Sequence, residues 1–258
     1  MKYSIVIPTI TKELVTKCVN SILKYTTIND DMEIIVVANG GDTKDLTLPD
    51  PIKILYYPEP LGAVKAYNEG IKKAQGDYII LLNDDTEIMN SPIDNWINRL
   101  LDPLINNEKT VITGVYKMIP PRIGNITLNF PPERMAYGFI LFFCAAIKKS
   151  FFNEVGLLDE SLKCGVDIDL CMKAMDLKYE ILQVSDPSKM SYAEGKYIVL
   201  DFPLFHEPES TVFKHYGKKN WDDIIKHDCD VLNERYGIKD PWPQGWFGND
   251  DITSYRQM

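Results

Sequence analysis

The chain lacks the cysteine patterns of zinc fingers and disulfide-stapled domains. Its 258 residues include five cysteines, an odd number at wide spacing, and no CxxC pair. Such a set predicts buried, reduced thiols rather than a disulfide framework, and therefore a cytoplasmic location. The five are Cys18, Cys144, Cys164, Cys171 and Cys229.

Positive charge and long apolar runs are also scarce. The formal net charge of −9 disfavours a dedicated nucleic-acid binder, because such proteins present a basic face. The longest apolar stretch, residues 139–147, is too short to cross a bilayer, and Met1 leads into a strand-like run without the features of a signal peptide. We therefore expect no transmembrane segment and leave a peripheral membrane contact open. One local basic cluster is present, at Lys214, His215, Lys218 and Lys219.

Alternating strand and helix patterns fill the first half of the chain. With 45% hydrophobic residues, the chain can bury a sizeable core. Helical spacing of apolar residues covers 14–25 and 62–74. Continuous apolar runs separated by such helices predict an α/β fold with a mostly parallel sheet covered on both faces. The runs predicted as strands are 3–8, 33–37, 52–57 and 77–82.

The second half has a less regular pattern. Helices are predicted over 92–107, 151–155 and 168–177, and strands over 111–118, 136–147, 179–184 and 197–200. A Pro/Gly-rich loop is expected over 120–132. Residues 212–236 are predicted to be partly helical with a break near Gly217, and the tail from Asp240 is expected to be irregular.

Polar residues follow the predicted strands at the point where each ends. They are Pro8-Thr9, Asn39 with its following glycines, and Asn83-Asp84-Asp85. In an open α/β sheet, ligands bind outside the carboxyl ends of the strands. Adjacent carboxylates there suit Mg²⁺, which is commonly held by one or two carboxylates plus substrate phosphates. Each segment alone could be an ordinary solvated turn, but together they predict a nucleotide crevice.

A second acidic group lies at Asp167 and Asp169, at the predicted start of a helix. A carboxylate at that position can cap free N–H groups and is stabilised by the helix dipole. Two residues on one helix that are two positions apart point in different directions. One of the pair can therefore cap the helix while the other faces a site.

The ordered set of motifs resembles the inverting glycosyltransferases of family 2, which have the GT-A fold. The resemblance implies a Rossmann-like, mostly parallel central sheet flanked by helices, with a C-terminal extension on the acceptor side. It spans roughly residues 2–215, divided into a nucleotide-binding half (1–120) and an acceptor half (121–215), with a helical and irregular extension over 216–258. The segments that carry it are 5–9, 35–40, 62–85, 151–160 and 167–171.

The resemblance also implies a reaction and roles for residues. The enzyme would move a sugar from a nucleotide diphosphate sugar, preferably a UDP-sugar, to an acceptor hydroxyl with Mn²⁺ or Mg²⁺ as cofactor. Asp167 matches the general base, while Asp85 and His206 match metal ligands. Residues expected to contact the donor are Pro8, Thr9, Asn39, Asn68, Asn83 and Asp84.

Two departures from the family pattern bear on this interpretation. Val166 stands where a glutamate often precedes the base, and Ala38 stands where an aspartate often reads the nucleobase, so Asn39 would have to substitute. A non-catalytic GT-A-like protein that binds sugar nucleotides or glycans is therefore an alternative. A sugar nucleotidyltransferase is less favoured, because residues 8–12 contain no glycine for a phosphate loop.

The acceptor and the oligomeric state stay open. A glycan, a lipid-linked compound, a protein or another hydroxyl compound could accept the sugar, and homo-oligomerisation is neither indicated nor excluded. Aromatic residues near the C-terminus could stack on a sugar acceptor or pack on the protein itself. They are Trp221, Trp242, Trp246 and Phe247.

Overall fold

The computed structural model describes residues 2–118, 138–186, 190–193, 196–199, 201–206 and 212–237. The predicted loop 120–132 and the tail from Asp240, with Trp242, Trp246 and Phe247, lie outside the described residues. The helices are α1 (Lys12–Tyr25), α2 (Ala63–Lys73), α3 (Asn95–Asn106), α4 (Lys149–Val155), α5 (Val166–Asp176) and α6 (Val212–Tyr236). The strands are β1 (Tyr3–Thr9), β2 (Met32–Asn39), β3 (Lys53–Tyr57), β4 (Tyr78–Leu82), β5 (Thr86–Ile88), β6 (Thr110–Gly114), β7 (Lys117–Met118), β8 (Phe139–Ile140), β9 (Cys144–Lys148), β10 (Glu180–Gln183), β11 (Met190–Ala193), β12 (Lys196–Val199) and β13 (Leu204–His206).

A mixed sheet of seven strands forms the centre of the described molecule. Its order is β10-β6-β9-β4-β1-β2-β3. Strands β1 to β4 pair in parallel, while β9 runs antiparallel between β4 and β6. The carboxyl ends of β1, β2 and β4 therefore meet at one edge, and the amino end of β9 joins them there.

Alternating side chains divide the core into two layers, one on each face of this sheet. Val6 and Leu81 face one layer, with α2, α4 and α5, while Ile7 and Leu82 face the other, with α1 and α3. The continuous apolar runs are explained by this double coverage, because both faces of a central strand are buried. Gly70 lets α2 approach closely, since a Cβ there would lie 2.2 Å from a Val6 methyl carbon.

A second, antiparallel sheet joins strands β11, β12 and β13 to β5, the strand that follows the acidic motif Asn83-Asp84-Asp85. Its order is β11-β12-β13-β5. Strand β5 begins directly after Asp85, and β13 pairs with it so that His206 lies opposite Thr86. This pairing brings residue 206 to the end of β4.

The structure corrects the predicted elements in several places; residues 111–118, for example, contain two strands, β6 and β7, rather than one. Residues 136–147 are not one strand: β8 and β9 are separated by a turn at 141–143, which lets Phe143 leave the sheet at the crevice edge. No break occurs at Gly217, because α6 continues through it. Strands β5, β11 and β13 were not expected, since each is four residues or shorter and has no strong apolar run.

Helix α6 crosses residue 215, where the sequence predicts the start of a C-terminal extension. That division into a transferase domain and an extension stays a prediction. Within the described residues, no helix has both the length and the apolar character needed to cross a membrane.

Candidate active site

The ends of β1 and β4 are joined by a hydrogen bond between two buried polar side chains. Thr9 Oγ1 lies 2.6 Å from Asp84 Oδ2 and donates to it, while its own oxygen accepts from the Thr11 N–H at 3.1 Å. Thr9 and Asp84 are 3% and 6% exposed. The hydroxyl thus fixes one carboxylate of the acidic motif against the loop after β1.

Asn83, the first residue of the motif, is held by the two elements on either side of it. Tyr67 of α2 donates its hydroxyl proton to Asn83 Oδ1 at 2.7 Å, and the Asn83 N–H donates to the Phe143 carbonyl at 3.0 Å. Burial raises the pKa of the Tyr67 phenol, and the neighbouring Asp84 and Asp85 raise it further. Tyr67 therefore stays protonated and acts as a donor.

Asp85, between β4 and β5, pairs with His206 at the end of β13. His206 Nε2 lies 3.2 Å from Asp85 Oδ1, and each residue is 8% exposed. The imidazole ring stacks on Phe143 with centroids 4.4 Å apart and planes inclined by 9°. Phe143 thus supports both the imidazole, through its ring, and Asn83, through its carbonyl.

The donor set for a metal at this position is small. Among the described residues, no group of three or more His, Cys, Asp and Glu side chains is arranged to hold a cation by itself. A carboxylate and an imidazole nonetheless suit Mn²⁺, and a carboxylate suits Mg²⁺. The pair therefore fits a metal whose remaining ligands come from a bound diphosphate and water.

The loop after β2 is shaped by glycine and by Asn39. Asn39 Oδ1 accepts from the Leu61 N–H at 2.6 Å, which leaves the amide N–H groups of that side chain as its remaining hydrogen-bonding function. Gly41 has φ +62°, and a Cβ there would lie 2.3 Å from the Ile10 carbonyl oxygen, so the loops after β1 and β2 touch. Ala38 is fully buried beside Thr9 in the sheet.

Asn68 and Pro8 occupy different places from the acidic cluster. Asn68, 1% exposed, donates through Nδ2 to the Leu158 carbonyl and to Glu160, and accepts from the Leu158 N–H at 3.1 Å. Both ends of its amide thus hold α2 against the segment before α5. Pro8 lies within β1 opposite Val37 and is partly buried.

Asp167 is the second residue of α5 and is partly exposed. Its Oδ1 accepts from the Ile168 N–H at 2.8 Å. Burial raises the pKa of Asp167 to about 7; the Ile168 N–H opposes that rise and the nearby Asp228 carboxylate adds to it. Burial, which disfavours the charged form, is the largest of these effects.

Asp169, by contrast, is 1% exposed and fully engaged in structural contacts. Its carboxylate lies 2.8 Å from Lys173 Nζ and 3.1 Å from Arg235 Nη1, and it accepts from the Tyr236 hydroxyl at 2.7 Å. Asp169 therefore ties α5 to the end of α6. Of the two aspartates, Asp167 is the one whose side chain is partly exposed.

A third aspartate, Asp228 of α6, shapes the same region. It is fully buried and accepts hydrogen bonds from the backbone N–H groups of residues 163–165, the loop that leads into α5. The carboxylate therefore caps α5 from outside, since the N-cap residue Gly165 has no side chain to do so.

A family model shows to which group of proteins this arrangement belongs. The model described as glycosyl transferase family 2 matches residues 4–156, which contain the ends of β1, β2 and β4 and the acidic motif. The chain belongs to glycosyl transferase family 2. The family membership implied by the resemblance noted in the sequence is therefore confirmed.

Curated relatives of this family 2 chain are named as glycosyltransferases. An uncharacterised glycosyltransferase of Rickettsia typhi is 31% identical over 158 residues, which cover 55% of this chain and 49% of the relative. Glycosyltransferase GlyG of Streptococcus pneumoniae is 28% identical over 181 residues, covering 59% of this chain and 58% of GlyG. A relative from Rickettsia felis is 28% identical, and the match covers only 27% of it. The matched region is thus a quarter to under two thirds of each of these relatives.

Solved structures confirm the GT-A fold predicted for this family 2 chain. A mannosyltransferase of Pyrobaculum calidifontis, in complex with GDP-Man and Mn²⁺, matches 90% of this chain and 64% of its own with a TM-score of 0.62 and 14% identity. Residues 1–349 of Staphylococcus aureus TarS, in complex with UDP, match 90% of this chain and 66% of theirs with a TM-score of 0.55 and 16% identity.

Some residues that shape the candidate site were not found by sequence reasoning. The structure brings Thr9, Asn83, Asp84, Asp85 and His206 together at the crevice edge, and places Asn68 in a structural contact instead. Phe143, Tyr67 and Asp228 were missed. Tyr67 had a signal, as an inward-facing residue of a predicted helix, whereas Asp228 lies in a polar helix where no local pattern singles it out.

Proposed function

We propose that the protein is an inverting, metal-dependent glycosyltransferase that moves a sugar from a nucleotide diphosphate sugar to an acceptor hydroxyl. The observation that carries the proposal is the β5–β13 pairing. In this family 2 chain, the pairing of β5 with β13 places His206 Nε2 3.2 Å from Asp85 Oδ1 at the end of β4. A buried carboxylate and imidazole at the edge where nucleotides bind suit the diphosphate of a donor and its counter-ion.

Asp85 and His206 would hold the metal together with the donor diphosphate. A bound Mn²⁺ or Mg²⁺ would supply Lewis-acid stabilisation of the negative charge that develops on the departing diphosphate. The Thr9–Asp84 and Tyr67–Asn83 hydrogen bonds would keep the preceding side chains in place before the donor arrives. Preorganised groups of this kind need no rearrangement during the reaction.

Asp167 would take the proton from the acceptor hydroxyl. As that oxygen bonds to the anomeric carbon, the bond to the diphosphate oxygen breaks and its electron pair leaves with the diphosphate. Attack from the side opposite the leaving group inverts the configuration. A pKa of about 7 suits this role, because a general base works best when its pKa lies near the working pH.

The donor preference proposed is a UDP-sugar. Asn39 would offer its amide N–H groups to the base, since its oxygen already accepts from Leu61. Uracil has carbonyl oxygens that can accept from such a donor, and TarS, which shares the fold, is in complex with UDP. A panel of UDP- and GDP-sugars with Mn²⁺ in a thermal-shift assay would separate the two, and stronger stabilisation by GDP-sugars would overturn the preference.

The second candidate function is a non-catalytic protein that binds sugar nucleotides or glycans. It is favoured by Val166 and Ala38, apolar and buried at positions where the family often carries acids. For the glycosyltransferase proposed first, we also propose a location in the cytoplasm. Its acceptor hydroxyl would belong to a glycan, a lipid-linked compound or a protein.

An assay of donor cleavage distinguishes these functions. We expect release of free nucleoside diphosphate from a UDP-sugar in Mn²⁺ or Mg²⁺ and none in excess EDTA, with activity restored by adding metal back. Binding of the donor without any turnover, across the donor panel and with mixed acceptors, would favour the non-catalytic protein instead.

A further inference from the structure

Helix α6 holds the loop before α5 through one buried carboxylate. Asp228 Oδ2 lies 2.7 Å from the Cys164 nitrogen, 2.8 Å from the Gly165 nitrogen and 2.9 Å from the Lys163 nitrogen. The Cys164 thiol adds a contact at 3.3 Å. Backbone N–H groups that converge on a carboxylate bind it strongly, because the acceptor is charged.

These contacts end two residues before Asp167. Gly165 is the N-cap of α5 and has no side chain to fix its own conformation. Any movement of residues 163–165 would therefore turn the first turn of α5 and shift the Asp167 carboxylate. A displacement of about 1 Å at a catalytic group can cost about 10²-fold in rate.

A separate set of contacts holds the other end of α6. Arg235 pairs with Asp159 and Asp169, and Tyr236 donates to Asp169. The docking of α6 on α5 therefore does not depend on Asp228 alone. A change at Asp228 that leaves Arg235 and Tyr236 in place is expected to loosen the loop without detaching the helix.

We propose that Asp228 is a positioning residue for the candidate base Asp167, because it fixes the loop 163–165 from which α5 begins. The inference rests on the proposed role of Asp167 and goes beyond it by assigning a function to α6.

The charge of Asp228 also reaches Asp167. It raises the pKa of Asp167 in addition to burial, and it raises the pKa of the Cys164 thiol that lies in the same loop. His227 Nδ1 lies 3.0 Å from Asp228 Oδ1 and is the neighbouring basic side chain on α6 itself. On α5 itself, Asp169 faces Lys173 and Arg235 rather than Asp167.

The test is Asp228→Asn, compared with Asp230→Asn as the matched control. Asp230 lies on the same helix, is exposed, and its substitution changes the net charge equally. Carbon-13 NMR of carboxyl-labelled aspartates gives the pKa of Asp167 without any substrate, its resonance being the one absent from Asp167→Asn. We expect the Asp167 pKa to fall in Asp228→Asn, because a neighbouring negative charge is lost, and to stay at its wild-type value in Asp230→Asn.

Kinetics supply the second readout. Asp228→Asn should lower kcat by about 10-fold to 10²-fold while the KM for the donor stays unchanged. A wild-type kcat together with a wild-type Asp167 pKa would overturn the proposal. If the wild-type protein has no transferase activity, the proposed function fails, but the NMR measurement still decides whether Asp228 controls Asp167.

A second variant keeps the test valid if Asp228→Asn does not fold. Asp228→Glu preserves the charge but moves the carboxylate by one methylene group. We expect a lowered kcat with an Asp167 pKa that stays near its wild-type value. A wild-type kcat in Asp228→Glu would show that the place of the carboxylate does not matter and would overturn the positioning role.

Discussion

The proposed nucleotide side and the proposed acceptor side of the site are built by different means. On the nucleotide side, parallel strands end together, and short hydrogen bonds such as Thr9–Asp84 join neighbouring loops. On the acceptor side, α5 is placed by side chains of α6, with Asp228 at one end and Arg235 at the other. Backbone pairing thus positions the residues of the nucleotide side, whereas buried charged side chains position those of the acceptor side.

The N-termini of α1 and α5 illustrate this difference. Asp42, from the loop after β2, accepts from the Lys12 N–H at 2.8 Å and caps α1 while exposed to solvent. Asp228 caps α5 while fully buried. A solvated cap stabilises only its own helix, whereas a buried one also sets the electrostatic environment around it. Substitutions on the acceptor side should therefore change protonation as well as structure.

The largest effect is expected on the nucleotide side, at Asp85. Asp85→Ala removes the carboxylate of the proposed metal pair, and loss of several kcal/mol of charge stabilisation corresponds to about 10³-fold or more in rate. We expect donor cleavage at the level of the EDTA control, with a normal circular dichroism spectrum. Asp102→Ala, an exposed change on α3, should keep wild-type activity. Metal-dependent turnover in Asp85→Ala at the wild-type rate would remove this residue from the site.

On the acceptor side, Asp167→Asn tests the base. General base catalysis contributes about 10²–10⁴-fold, so kcat should fall by that range while donor affinity is kept. In the wild type, kcat should rise as pH increases through about 7, because only the ionised Asp167 can accept a proton. That rise should be absent from the residual activity of Asp167→Asn. Loss of donor binding would instead assign Asp167 to the diphosphate or metal.

The contrast between the two sides also explains what the sequence could predict. Continuous apolar runs identified β1, β2 and β4, and their polar ends located Thr9, Asn39 and Asp84 at one edge, because strand ends in a parallel sheet converge. His206 was assigned by resemblance alone. The pairing of β5 with β13 brings His206 to the end of β4, but both strands are too short to show a pattern in the sequence.

The acceptor side gave weaker signals for physical reasons. Asp228 lies in a helix whose exposed faces are polar, so a buried carboxylate looks like any solvated one. Gly217 suggested a break in α6, yet a glycine within a helix costs only about 1 kcal/mol and does not end it. Asn68 was predicted to contact the donor; in the structure both ends of its amide bind the backbone of Leu158, a contact that no sequence pattern indicates, and its role at the donor stays a prediction.

A third prediction asks whether Asp169 is structural, as its contacts indicate. Asp169→Asn weakens charge-assisted bonds to Lys173, Arg235 and Tyr236, and should lower the free energy of unfolding by about 1.5–3 kcal/mol. Urea unfolding measures this, with Asp176→Asn on the exposed face of α5 as the control, expected within about 0.5 kcal/mol of wild type. If Asp169→Asn had the stability of the wild type but a strongly reduced kcat, the role of general base would be assigned to Asp169.

The smallest effect concerns the stability cost of the raised pKa itself. In the unfolded chain an aspartate has a pKa of about 3.9, whereas Asp167 in the folded protein has a pKa of about 7. Between these values the folded state binds more protons than the unfolded state, so stability falls as pH rises from about 4 to 7 and stays lowered above that.

An asparagine side chain does not titrate, so the Asp167→Asn variant lacks this pH dependence. It should therefore match the wild type near pH 4 and become more stable than it by pH 8. Because the side chain of Asp167 is partly exposed, we expect a difference of about 1 kcal/mol rather than the full linkage value. Urea unfolding of both proteins across this pH range measures it, with Asp230→Asn as the control for lost charge. If Asp167→Asn were instead less stable by the same amount at every pH above 5, the ionised carboxylate would be a stabilising cap of α5. In that case Asp167 would cap α5 as Asp42 caps α1 on the nucleotide side, and the pKa of Asp167 would not be raised.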